Sequence, residues 1–350
     1  MENKIYLTGN RSLCEISLLG GLSCLEILKL RRTGIINIPE EIGRLTNLRL
    51  LDVYYCGDLS YVTPGVISKL TRLEELYVWL LKEEGNCNFL TELSELTLLK
   101  ILHLRVWELR YIPKIETLIE FDIASHECPM GLYKRCLEVS VYNKCSLTMP
   151  IRKLIQLSEM LTLRGIEDLD NILPDLYQEG FDESREIRLF SCENVRSLVK
   201  TCDLNGIQTS NESGQGKCFS HVEVIHLVHL DRLELLWDNP HQYISFCNLR
   251  SISIANCPSL LKLFPISVAQ GLVNLKYLSI SNCESLVNVI WDGDEQTTGS
   301  EIELVKKDTN IVFSFYGIQL YNLPKLESFY SGHSIIKYPS LKSYNQHEIL

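Results

Sequence analysis

Apolar residues recur along this chain in one order, which returns at regular intervals. In residues 249–260, Leu or Ile stands at the first, fourth, sixth and twelfth positions and Cys at the ninth. Residues 275–286 and 48–59 repeat that order, with Val at the sixth position of the latter. Apolar residues two apart point to the same side of a strand, while their neighbours point to the other side. Each copy therefore predicts a short strand with one buried face.

The last inward residue of each strand marks the phase of the repeat, and we name it the register residue. We place register residues at Leu7, Leu30, Val53, Val78, Leu104, Ile123, Val141, Leu163, Leu189, Leu227, Ile254, Ile280 and Leu320. Most steps between them lie in the range of about 20–29 residues that leucine-rich repeats occupy. Two longer steps contain polar inserts near residues 203–217 and 292–310, which predict exposed loops.

A single unit of this kind cannot bury its own apolar side, but stacked units can. Each buried Leu or Ile then contributes roughly 1.5–3 kcal/mol, so the units are stable only as an array. The pattern predicts the α/β class: a leucine-rich-repeat solenoid, curved like a horseshoe, with a parallel sheet on the concave side and loops and short helices on the convex side. We expect residues 1–350 to form one array of about 13 repeats.

The position three residues after the register residue is polar or a thiol in six units. We expect it to face inward and to satisfy backbone groups where the strand turns away, because Asn, Thr and Cys each carry a small donor. The six residues are Asn10, Thr33, Cys56, Cys192, Cys257 and Cys283.

Net charge and cysteine content restrict the partners and the cellular location that we expect for this protein. The net charge of −10 disfavours nucleic acid and anionic membranes as main partners. No stretch approaches the roughly 18 apolar residues of a membrane span, and residues 1–8 contain no apolar signal segment. The thirteen cysteines include no CxxC pair, so we expect reduced thiols and a cytoplasmic location.

Particular stretches of the repeats resemble a known family. Residues 25–34, 38–43 and 45–52, together with 257–260 and 281–286, are similar to the leucine-rich region of plant intracellular disease-resistance receptors. These are the nucleotide-binding leucine-rich-repeat receptors, and the last two stretches resemble the coiled-coil subclass. The resemblance covers nearly the whole chain. It implies pathogen sensing, autoinhibition of a neighbouring ATPase module and defence signalling.

The nucleotide-binding module of that family is absent from this sequence. No GxxxxGK[ST] motif occurs, and the nearest string, residues 214–218, lacks the Ser or Thr that would hold magnesium. The chain also opens inside a repeat, at Ile5 and Leu7, so we expect a fragment or a truncated gene product. We therefore predict no cofactor and assign no residue to ATP switching.

Three groups of reactive residues are candidates for catalytic or metal sites. His221, His226 and His229 lie near Cys218, but their spacing fits no zinc pattern. Asp168 and Asp170 follow a strand without opposed partners across a cleft. His126 and Cys128 stand two apart in a loop without an orienting third residue. We interpret the histidines as surface residues, the aspartates as solvated loop residues and Cys128 as an inert thiol, so we predict no metal site and no enzyme activity.

The outward strand positions suggest a protein-binding face. Neighbouring strands in the first half present Tyr54, Tyr55, Tyr77, Trp79, His103 and Arg105. Tyr, Trp and Arg commonly anchor interfaces, because they bury much area at a low entropic cost. The alternative is an aromatic rim that packs only on itself. We expect Trp79 and Arg105 to be exposed, so that replacing either would leave stability nearly unchanged. Later outward positions carry small residues such as Ser253 and Ser279.

The function hypothesis is non-catalytic recognition within a plant immune receptor. The bound protein would be a pathogen effector, a guarded host protein or the receptor's own nucleotide-binding domain. A second hypothesis is a cytosolic adaptor for a ubiquitin ligase or another protein-binding scaffold, which would need an F-box-like helical segment upstream. A third is an extracellular receptor ectodomain, which would need a signal peptide and paired-cysteine caps.

Overall fold

The alternating pattern folds into short parallel strands, one at the start of each repeat. The computed structural model of the chain describes residues 3–57, 59–80, 87–105, 118–124, 132–140, 149–167, 169–173, 176, 183–199, 219–236, 246–291, 311–312, 315–330 and 336–337. Two compact units divide the chain, residues 1–160 and residues 161–350. The predicted inserts at 203–217 and 292–310 lie outside the described residues.

In the first unit, neighbouring repeat strands pair in parallel and in chain order. They are Lys4–Tyr6, Ile27–Lys29, Leu50–Val53, Glu75–Trp79, Ile101–Arg105, Glu120–Ala124 and Arg135–Ser140. The repeat strands of the second unit, of which the first begins at the boundary, are Met160–Arg164, Glu186–Phe190, Val224–Val228, Ser251–Ala255, Tyr277–Ser281 and Gly317–Tyr321. The described residues thus contain thirteen repeat strands.

The return segments of the repeats contain short helices, as predicted, and also a second set of short strands that the sequence pattern did not indicate. The helices are Ser17–Gly21, Glu40–Arg44, Ile67–Lys69, Cys87–Glu92, Leu93–Glu95, Met149–Leu157 and Ile266–Ala269. Parallel pairs form between Asn37–Ile38 and Tyr61–Val62, between Asn171–Leu173 and Ser197–Val199, and between Ile311–Val312 and Ile336–Lys337. Lys262–Pro265, Asn288–Trp291 and Ser328–Tyr330 form a three-stranded sheet.

The predicted register is confirmed at most strands that pair. Val53 lies beside Val78, which lies beside Leu104, and Ile254 lies beside Ile280. In the next repeat the residue beside Ile123 is Leu137, and the predicted register residue, Val141, lies outside the described residues. Leu137, Val139 and Val141 are all apolar and stand at alternate positions. The sequence alone therefore could not show which of them pairs with Ile123.

The two inward residues of the interior repeat strands are buried and form part of the core. Leu76 and Val78 are fully buried in one strand, as are Leu102 and Leu104 in the next. In the second unit, Ile252 and Ile254 occupy the same positions and are also fully buried. The inward assignment of these residues is therefore confirmed, and the strand register controls which side chains stack in the core.

The residue two positions after the register residue has a left-handed backbone conformation. This holds in nine described repeats, at Gly9, Arg32, Tyr55, Gly165, Ser191, His229, Asn256, Asn282 and Asn322. Such a conformation costs a residue other than Gly roughly 1–2 kcal/mol, and Asn tolerates it best. Asn282 also accepts a hydrogen bond from Asn322 and donates one to Asn256, both at 2.9 Å. Side-chain bonds between repeats thus help to hold the turn.

The polar position three residues after the register residue does satisfy backbone carbonyls. The Thr33 hydroxyl donates to the carbonyl of Leu30 at 2.7 Å, and the Cys56 thiol donates to the same carbonyl at 3.1 Å. Cys192, Cys257 and Cys283 are likewise buried, and their thiols donate to the backbone carbonyls of Phe190, Ala255 and Ser281, respectively. Asn10 departs from the expectation of burial. It is exposed, although its side-chain amide donates to Leu7 at 2.7 Å.

We predict that Cys56, Cys192, Cys257 and Cys283 resist alkylation in the folded protein. All four are buried, and burial raises the pKa of Cys192 to about 11, so little thiolate forms near neutral pH. The measurement is time-resolved labelling with iodoacetamide followed by peptide mass spectrometry. Cys14 and Cys24 are exposed and provide internal controls that should react first. Labelling of the four buried thiols at the rate of these controls would contradict the assigned register.

Candidate functional site

The outward positions of the first unit bring together the residues selected from the sequence. Tyr77 lies beside His103, and Trp79 lies beside Arg105, on adjacent strands as predicted. Tyr55 joins this group although it follows Tyr54 directly, which in a regular strand would place it on the opposite side. Its positive φ of 57° turns the chain, and the rings of Tyr54 and Tyr55 meet edge to face at 4.7 Å between centroids.

Arg105 is buried rather than exposed, so the expectation for its side chain is wrong. Only 2% of the residue is accessible, and the guanidinium forms two hydrogen bonds with the carboxylate of Asp122, at 2.9 and 2.6 Å. It also donates to the backbone carbonyl of Asp122 at 3.1 Å. Asp122 stands on the next strand, at the outward position beside His103. This pair fixes Arg105 beneath the surface.

An aromatic group lies above that ion pair. The ring of Trp79 is 5.8 Å from that of Tyr54 and 5.1 Å from that of Tyr55. Arg31 lies over both tyrosine rings, at 5.2 and 5.4 Å, and Arg105 lies 5.8 Å from the ring of Tyr54. Tyr54 is buried, whereas Tyr55 and Trp79 are half-buried and retain accessible ring surface. Tyr54 therefore supports the group from below, whereas Tyr55 and Trp79 provide its accessible surface.

Tyr77 and His103 form a second, smaller contact. Their rings are 4.8 Å apart, and both residues are half-buried. The Tyr77 hydroxyl donates to Glu75 at 3.0 Å, while the imidazole of His103 lies 3.3 Å from Glu120. Burial, followed by the charge of Glu75, raises the pKa of Tyr77, so the phenol stays protonated.

Four carboxylates that sequence reasoning missed hold this face in place. Glu75 and Glu120 bind its tyrosine and histidine, and Asp122 binds Arg105. Asp52 accepts a hydrogen bond from the backbone N–H of Tyr54 at 3.0 Å, and burial raises the pKa of its carboxyl. All four occupy outward strand positions. The same alternation that selected the aromatic residues would have selected them, had acidic residues been included.

The second unit presents a different face. Ser253 lies beside Ser279, and Ser251 beside Tyr277, which confirms the predicted run of small residues. Larger aromatic side chains flank them. Tyr277, Tyr316 and Tyr321 are 53%, 54% and 61% exposed, respectively. These values exceed those of the first unit's aromatic group, which is half-buried or buried.

The remaining candidate chemistry does not assemble in the part of the chain that the structure describes. His221 and His229 are exposed, and His226 lies 3.6 Å from Glu186. Over the described residues, no three His, Cys, Asp or Glu side chains cluster so that they could hold a metal ion. Asp170 is exposed, whereas Cys218, Asp168, His126 and Cys128 lie outside the described residues. Among the described helices, none is long and apolar enough to cross a membrane.

Two family models match the sequence, each over part of its length. "Plant disease resistance protein RPS2-like, leucine-rich repeats" matches residues 137–284. "Leucine-rich repeat region" matches residues 10–121. No curated protein matches the chain.

Three of the solved structures that resemble the chain come from bacteria. An internalin, inlF, from Listeria monocytogenes has 16% identity and a TM-score of 0.43, covering 84% of this chain and 83% of that one. A leucine-rich-repeat protein of Leptospira interrogans has 15% identity and a TM-score of 0.38, covering 83% of each chain. The functional domain of InlJ from Listeria monocytogenes, which includes a cysteine ladder, has 13% identity and a TM-score of 0.46. It covers 83% of this chain and 64% of its own length.

The repeat length, the parallel strands and the two family models agree with one another. Solenoid repeats of this kind characteristically provide extended surfaces for binding other proteins. The chain is an α/β leucine-rich-repeat solenoid.

Proposed function

We propose that this chain is the non-catalytic recognition domain of a plant immune receptor of the nucleotide-binding leucine-rich-repeat class. It senses a pathogen effector or a guarded host protein, or it restrains the receptor's own nucleotide-binding module, in the cytoplasm. The match of residues 137–284 to the RPS2-like repeats supports the receptor class. The chain itself contributes binding, and the nucleotide chemistry belongs to a separate module.

The arrangement of Tyr55 and Trp79 is the observation that carries the proposed contact. Their rings lie 5.1 Å apart and are half-buried, so they are held in place while part of their surface stays accessible. Rigid aromatic side chains anchor interfaces because little conformational entropy is lost when a partner covers them. Tyr77 and His103 extend the contact surface, while Tyr54 and Arg105 support it from below.

We predict that Trp79→Ala weakens the partner complex at least fivefold, which corresponds to about 1 kcal/mol. The variant should remain folded and lose only about 0.5–1.5 kcal/mol of stability, because it gives up aromatic contacts and no core volume. Binding is measured by titration against the receptor's nucleotide-binding module, and signalling is measured by cell death in leaf tissue. Leu98→Ala is the matched control, since Leu98 is 50% exposed and lies outside this group. Unchanged binding and unchanged signalling for Trp79→Ala would refute the proposed contact.

Arg105→Ala should behave differently and destabilise the protein by roughly 3–5 kcal/mol, because it leaves the carboxylate of Asp122 buried without its cation. Urea unfolding measures this loss. The double change Arg105→Met with Asp122→Leu should recover much of it, because no charge is then left unpaired. Arg49→Ala removes an exposed ion pair and should cost much less stability than Arg105→Ala, because solvent screens exposed charges. A similar small cost for Arg105→Ala would mean that the buried pair does not support the face.

A further inference from the structure

In most repeats, the residue four positions before the register residue directly precedes its strand. Together these leading residues form an edge of the sheet that we name the leading edge. In the first unit, Glu26, Arg49, Glu74 and Lys100 follow one another along it. Glu74 accepts hydrogen bonds from Arg49 at 2.7 Å and from Lys100 at 2.8 Å. These bonds lower the pKa of Glu74 to about 2. Arg49 also lies 4.0 Å from Glu26, so two cations meet two carboxylates.

The leading edge of the second unit lacks this balance. Arg185 donates to Glu223 at 2.8 Å, and Arg250 lies 3.4 Å from the same carboxylate. The next leading residue is Lys276, whose ammonium lies 5.3 Å from the ring centroid of Tyr316. Of these four leading residues, three are cations and one is a carboxylate; Glu223 contacts Arg185 and Arg250, and Lys276 contacts Tyr316 instead.

Arg250 and Lys276 are direct neighbours on this edge. The backbone N–H of Lys276 donates to the carbonyl of Arg250 at 2.8 Å, so the two side chains leave adjacent strands at the same level. Like charges at such positions repel and reduce stability. The side chain of Arg250 is 59% exposed, and among the described residues no carboxylate forms an ion pair with Lys276. The edge thus carries local positive charge on a chain whose net charge is −10.

Exposed aromatic rings lie next to these cations. Tyr277 and Tyr316 are each more than half exposed, and their rings meet at 6.2 Å between centroids. The ring of Tyr277 also lies against Gly317, where a Cβ atom would be 3.6 Å from it. Both rings are therefore positioned by neighbours but uncovered, as interface anchors commonly are.

We infer that Arg250, Lys276, Tyr277 and Tyr316 form a docking surface for an acidic segment of a partner protein. Carboxylates of that segment neutralise Arg250 and Lys276, and its apolar or aromatic side chains pack against the two tyrosines. Charge complementarity increases the association rate and selects against basic partners. This surface is separate from the aromatic group of the first unit and does not depend on the function proposed for that group.

The test uses the full chain and a short fluorescent peptide of alternating glutamate and tyrosine, measured by fluorescence anisotropy. The peptide should bind, and replacing its glutamates by glutamine should abolish binding. The double variant Arg250→Ala, Lys276→Ala should weaken binding roughly tenfold or more. Higher salt should weaken binding to the unmodified chain, because exposed charges are screened.

The matched control is Arg49→Ala, Lys100→Ala, which removes two cations from the balanced leading edge of the first unit. It should leave peptide binding unchanged, as should Trp79→Ala, so that failure of this surface and failure of the first-unit face give different results. If the Arg250→Ala, Lys276→Ala variant binds the peptide as tightly as the unmodified chain does, the inference is wrong. It is also wrong if the control variant loses as much binding as that variant. Binding that appears only after Glu295, Glu301 and Glu303 are replaced by Gln would also overturn it. That outcome would identify the chain's own acidic insert as the occupant.

Discussion

Backbone hydrogen bonding between neighbouring repeats is the interaction on which the rest of the structure depends. Each leading residue donates to the strand before it, as Glu74 and Lys100 do to Arg49 and Glu74 at 2.8 Å. Because parallel bonds fix one register, equivalent residues of successive repeats form columns. The inward columns form much of the core. The column two residues after the register residue forms the left-handed turn, and the column one residue further on contains the buried thiols. A shift by one residue would exchange the buried and outward columns.

The columns differ in how much variation they tolerate. Leu28, Leu51 and Leu76 share one inward column and are all buried, because a change of volume there leaves a cavity or an overlap. The outward column beside it contains Lys29, Asp52 and Tyr77, which differ in charge and size. Function can therefore differ between regions of one solenoid without a change of fold, since the outward residues are not constrained by packing in the core.

Arg105 and Asp122 are an exception to this contrast between inward and outward columns, because they occupy outward positions and yet form a buried ion pair. A buried pair contributes little net stability on its own, because desolvation offsets the attraction. Its structural effect is to fix geometry, since Arg105 contacts both Asp122 and the ring of Tyr54. Combined with the left-handed turn at Tyr55, it supports the rings of Tyr55 and Trp79 in a defined position. Tyr55 and Trp79 are thus held in position in the absence of a partner, whereas the tyrosines of the second unit are more exposed.

The sequence by itself determined the repeat, the positions of most repeat strands, their inward residues and the burial of Cys56, Cys192, Cys257 and Cys283, because alternation and period depend on local geometry. It did not indicate the short strands of the return segments. It did not show that Leu137 pairs with Ile123, because several alternate residues of that strand are apolar. Only the tertiary structure decided that Arg105 is buried, since its partner Asp122 is 17 residues away and meets it through strand pairing. The unequal charge of the two leading edges was likewise set by register, because Arg250 and Lys276 become neighbours only when their strands pair.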